Sequence, residues 1–72
     1  MIMTNTALLR EKIASLGISE KFIYEKLGIS RFTWYKKRDG ESDFKVSEII
    51  TLCEILHITS LREREQIFFA KL

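Results

Sequence analysis

The stretch Ile18–Gly40, ISEKFIYEKLGISRFTWYKKRDG, decides how this chain is read. It spells helix, tight turn, helix. Ser19 can accept an orphan N–H of a helix over about Glu20 to Leu27, whose inner face carries Ile23 and Leu27 one turn apart. Gly28 tolerates positive φ in the turn, Ile29 plugs the angle between the helices, and Ser30 caps a second helix over about Arg31 to Asp39 that Gly40 can end. Trp34 is the one large inward anchor of that second helix, with Phe32, Tyr35 and Lys36 on other faces.

Charge singles out the same helix. The chain carries a net charge of only +2, yet Arg31, Lys36, Lys37 and Arg38 fall in an eight-residue window with no acidic residue. That window carries +4 and the other 64 residues −2. A positive field confined to one helix suits a local phosphate-binding site, whereas a merely solvated face would mix signs as Glu20, Lys21, Glu25 and Lys26 do.

The flanking sequence reads as more helix. Residues 1–5 are expected to fray, and Asn5 or Thr6 to cap a first helix running to about Leu16, with Leu9, Ile13 and Leu16 at helical spacing and Gly17 ending it. After a polar loop in which Phe44 folds back over the core, Ser47 is expected to cap a fourth helix over about Glu48 to His57. Its buried stripe is Ile49, Leu52, Cys53 and Leu56. Ser60 and Glu63 have the spacing of a capping box for a fifth helix over about Leu61 to Leu72. The expectation is an all-α bundle of five short helices forming one domain over residues 1–72, near the lower size limit for a self-sufficient core. No apolar run is long enough to span a membrane and no signal peptide is read, while the single Cys53 fits a reducing cytoplasm.

Helix, turn and basic helix together resemble the lambda-repressor-like family, the Cro/C1-type helix-turn-helix proteins of phages and bacteria. In that family's twenty-residue motif, positions four, eight, ten, fifteen and eighteen are apolar. Counted from Glu20 they fall on Ile23, Leu27, Ile29, Trp34 and Lys37, and Leu27-Gly28-Ile29-Ser30 is the family's characteristic turn. The resemblance covers roughly residues 8–58. Three positions depart from it. Tyr24 stands where a small residue lets the two helices cross closely, Lys37 replaces an apolar residue, and Glu20 occupies the place of a glutamine that binds phosphate. The expectation for Lys37 is a packed stem with its ammonium reaching solvent.

The resemblance implies a small repressor that inserts helix 31–39 into the major groove of double-stranded DNA. Arg31 is then the leading base contact, since a guanidinium can bridge O6 and N7 of guanine. Phe32 faces a thymine methyl, and Tyr35 and Lys36, one turn on, complete the base-contact set. Ser30, Thr33, Lys37 and Arg38 are expected on phosphates. In the last helix, adjacent Phe68 and Phe69 cannot face the same way. One is expected in the core, while Ile67, Phe68, Phe69 and Leu72 supply the candidate surface of a homodimer. A helical protein-interaction module that does not read DNA is the competing expectation. The chain shows no glycine-rich phosphate loop, catalytic dyad or metal-ligand set, so no enzyme, cofactor or small-molecule ligand is expected.

Overall fold

Four helices begin where a short polar side chain turns back on the backbone. Asn5 Oδ1 accepts from Leu8 N–H (3.1 Å), Ser19 Oγ from Phe22 N–H (3.2 Å), Ser30 Oγ from Thr33 N–H (3.1 Å) and Ser60 Oγ from Glu63 N–H (3.3 Å). The computed structural model describes residues 2–71, with side chains described for residues 3–70. The order is β1 (Ile2–Met3), α1 (Thr6–Leu16), α2 (Glu20–Leu27), α3 (Arg31–Arg38), α4 (Val46–Ile55), α5 (Leu61–Phe68) and β2 (Ala70–Lys71). It is an all-helical architecture of five helices, joined at its ends by a two-residue antiparallel ladder pairing Ile2 with Lys71 and Met3 with Ala70. Among the described residues no helix is long and apolar enough to cross a membrane.

α2 packs on α3 and α4, while α1 packs on α3 and α5. Between them lie the fully buried side chains of Leu9, Ile23, Trp34, Leu52 and Leu56. Phe44, from the α3–α4 loop, closes the core as the loop reading anticipates. Its ring is 5.9 Å from Trp34 and 5.8 Å, edge-on, from Phe68, so three aromatics from distant parts of the chain meet in one column. Tyr24, at the crossing of α2 with α3, is half-buried and packs against the core.

Several sequence expectations are corrected. The N-terminal segment does not fray from residue 2 onward, because β1 pairs with β2 and Asn5 N–H donates to Ile67 C=O at 2.6 Å. α5 stops at Phe68 and does not run to Leu72, since the chain bends at Phe69 and then enters that ladder. α4 starts at Val46, two residues before the expected Glu48, with Lys45 as N-cap in place of Ser47. Glu48 causes this, because its carboxylate accepts from Lys45 N–H at 2.8 Å and holds the earlier turn. Glu63 does not close a box with Ser60, as it accepts from Lys12 Nζ at 3.1 Å and ties α5 to α1. Leu16 lies 38% exposed at the end of α1, outside the core.

Three helix ends share one device, in which a left-handed residue and the one after it donate their N–H groups back to the last open carbonyls. Gly28 and Gly40 do this at φ 72° and 85°, with Ile29 N–H on Tyr24 C=O and Glu41 N–H on Lys36 C=O. At the end of α4 the left-handed residue is His57, at φ 55°, with Ile58 N–H on Cys53 C=O at 2.8 Å. A Cβ in that conformation costs about 1–2 kcal/mol, of which a glycine would return part through its looser unfolded chain. His57→Gly is expected to stabilise the fold by about 0.5–1 kcal/mol in urea denaturation. Unchanged or lower stability would show that the imidazole compensates for its backbone.

Candidate nucleic-acid interface

On a helix turning about 100° per residue, Arg31, Phe32, Tyr35 and Lys36 fall within one arc of about 140°, and Lys37 lies nearly opposite its centre. The structure follows that wheel. Arg31, Phe32 and Lys36 are exposed, Phe32 at 69%, and Tyr35 is half-buried at the edge of the face. Trp34 is fully buried beneath. The four residues expected to meet base edges therefore share one outward surface, at the N-terminal end of which Ser30 is exposed.

The expected phosphate set divides. Lys37 is corrected outright. It is 7% exposed, and its Nζ lies 2.5 Å from Glu48 Oε1, which is equally buried. Its ammonium does not reach solvent, because position thirty-seven points into the α3–α4 junction and Glu48 answers the charge there. Arg38 is also largely withdrawn. Its guanidinium bonds Glu20 Oε1 at 2.7 Å and Asp39 Oδ1 at 3.0 Å, and lies over the Tyr35 ring at 4.6 Å. Thr33 is half-buried and its Oγ1 accepts from Ser30 Oγ at 2.9 Å, so Ser30 and Thr33 form a local pair at the start of α3. Of the four cations on α3, Arg31 and Lys36 are in no ion pair among the described residues.

Glu20 is the structural counterpart of this sorting. It accepts from Trp34 Nε1 at 3.0 Å as well as from Arg38, so the first residue of α2 holds α3 by an indole and a guanidinium. Asp39 in turn is bonded by Arg10 of α1, extending the chain of charges across three helices. Burial pushes the Glu20 carboxyl up, but the bonds from Arg38 and Trp34 outweigh it and leave it below its ordinary value. Glu48 behaves alike, with burial outweighed by Lys37 and by Lys45 N–H. Bonds from Arg38 and Arg10 bring Asp39 down to about 2, and Asp39 and then Glu20 raise the Arg38 guanidinium further.

The C-terminal surface also divides. Ile67 and Phe68, expected as dimer contacts, are each 3% exposed in the core, with Phe68 against Phe44. Phe69 is 39% exposed, and Leu72 lies outside the described residues. Cys53 is buried, and burial pushes its thiol up. Among the described residues no three His, Cys, Asp or Glu side chains converge as a metal site. Sequence reasoning passed over Lys45, an exposed cation at the start of α4 that Glu48 joins to Lys37. No local signal marked it, because its link to α3 runs through a tertiary ion pair.

No family model, curated protein or solved structure matches the chain.

Two outcomes follow. Lys37→Met leaves Glu48 buried without its partner and is expected to cost about 3 kcal/mol, while adding Glu48→Gln, which still accepts from Lys45 N–H, recovers most of that in urea denaturation. Because Glu20, Glu48 and Asp39 all titrate below their ordinary values, the unfolded chain takes up protons first as pH falls. Their stabilisation is therefore complete above about pH 4.5 and drains away between there and about pH 2. The thermal midpoint should fall across that window, and Glu20→Gln should flatten the descent. A level midpoint would mean the three carboxylates contribute nothing.

Proposed function

We propose that the chain is a sequence-specific double-stranded DNA-binding regulator, most simply a repressor, whose α3 enters the major groove with Arg31, Phe32, Tyr35 and Lys36 toward the bases. One observation carries the reading. α3 buries Trp34 and Lys37 while turning two unpaired cations and an aromatic ring to solvent on one face, with half-buried Tyr35 at its edge, beside a helix–turn–helix whose caps and apolar positions resemble the lambda-repressor-like pattern. Electrostatic attraction to phosphate supplies affinity, and guanidinium and apolar contacts to base edges supply preference. Ser30 at the helix start and exposed Lys45 are the proposed phosphate contacts, in place of Lys37 and Arg38. The proposed setting is a reducing bacterial cytoplasm or nucleoid. The proposal does not rest on a dimer, because two of the four residues considered for one belong to the core.

A protein-interaction module is the second reading, favoured by Phe22 and Ile50, which are 47% and 52% exposed on α2 and α4. Salt separates the two. Titration of labelled random-sequence duplex should give affinity falling steeply with salt, by a power close to the number of phosphates neutralised. Arg31→Ala should weaken the preferred site at least about tenfold relative to random duplex, and Lys36→Ala should weaken both base and backbone binding. Retention of affinity and sequence preference in both variants overturns the assignment of α3.

A further inference from the structure

Arg31 and Phe32 are adjacent in the chain and coupled in space. The guanidinium carbon lies over the phenyl ring, 5.5 Å from its centroid. Among the described residues no carboxylate or carbonyl takes the N–H donors of Arg31. The ring is 69% exposed, so its outer face and edge are equally open. From this pair we propose that Arg31 and Phe32 read a single base step together, a guanine directly beside a 5-methylpyrimidine. The proposal rests on the reading of α3 as the major-groove helix.

The argument is one of levels. To bridge O6 and N7 of a guanine, a guanidinium must lie close to the plane of that base. The neighbouring pair lies about 3.4 Å above or below that plane. The ring centroid lies 5.5 Å from the guanidinium carbon, more than one rise and less than two, so a ring beside a guanine-bound Arg31 reaches the neighbouring pair and no further. The C5 methyl of a pyrimidine is the apolar group that the major groove offers there. The alternatives at that level are hydrogen-bonding edges, and a phenyl ring would desolvate them with nothing in return. Thymine supplies the methyl in ordinary DNA and 5-methylcytosine supplies the same group in methylated DNA. The two should be equivalent to the ring.

The test begins with sites selected from a pool of random-sequence duplexes. The best site is then remade with deoxyuridine for the thymine beside the guanine, and separately with cytosine or 5-methylcytosine there, each with its proper partner base. Thymine should bind about fourfold more tightly than uracil, and 5-methylcytosine about fourfold more tightly than cytosine, the effect of burying one methyl-sized group. Both ratios should collapse to one in Phe32→Ala. Replacing the guanine with 7-deazaguanine should weaken binding about tenfold in the native chain and leave Arg31→Ala unaffected. Methyl-indifferent binding, or methyl dependence that survives Phe32→Ala, overturns the step while leaving DNA binding intact. A chain that keeps its helical fold yet binds no duplex at low salt overturns the reading of α3, and the step falls with it.

Discussion

A buried ammonium governs the middle of this molecule. Lys37 points into the junction of α3 and α4, where an unpaired charge would cost several kcal/mol, and Glu48 lies 2.5 Å away to meet it. The same carboxylate accepts from Lys45 N–H, so one side chain neutralises α3 and starts α4. The beginning of α4, the path of the loop that carries Phe44, and the rotation of α3 about its axis are thereby linked. Had position thirty-seven been apolar, as the resemblance suggests, α3 could have packed there without fixing where α4 begins. The lysine makes that junction depend on geometry as well as on volume.

A second polar contact fixes α3 one turn earlier. Trp34 buries the largest apolar surface in the helix, but its indole N–H must find an acceptor, and Glu20 at the start of α2 provides it. Glu20 thus serves the fold at the position where the related motif uses a glutamine for phosphate. The carboxylate that looked unfavourable for DNA is turned toward Trp34 and Arg38. With Trp34 and Lys37 held one turn apart on its inner side, α3 is set against α2 and α4 with its opposite face outward.

Local rules recovered the parts of this fold that are local. The caps at Asn5, Ser19, Ser30 and Ser60 and the left-handed glycines at 17, 28 and 40 were legible because each acts within a few residues of itself. The stripe through Ile49, Leu52, Cys53 and Leu56 was legible from its period. What failed was non-local. Ser47 obeys the capping rule better than Lys45, and only the pull of Glu48 toward Lys37 decides between them. Nothing near Phe69 marks a helix end, since the ladder that ends α5 pairs the chain's two extremities. His57 hid a glycine-like turn under a side chain that rarely adopts one. At the candidate site the face was legible from helical spacing, but the sorting of its cations was not, because Lys37 and Arg38 are committed by partners on other helices.

That sorting changes what the basic window means. Counted along the sequence it is a patch of four positive charges, which would attract any polyanion. In the fold, Lys37 is neutralised by Glu48 and Arg38 is bracketed by Glu20 and Asp39, so the outward face keeps Arg31 and Lys36 with an aromatic ring between hydrogen-bonding groups. If α3 is the DNA-reading helix proposed, a face with fewer charges draws less of its affinity from phosphate and more from the edges that meet Arg31, Phe32, Tyr35 and Lys36. Withdrawing half of the cations into the fold weakens general attraction more than it weakens contacts that depend on position. On the proposed DNA-binding reading, the carboxylates that hold α3 in place favour discrimination over affinity, and both effects come from the same few ion pairs.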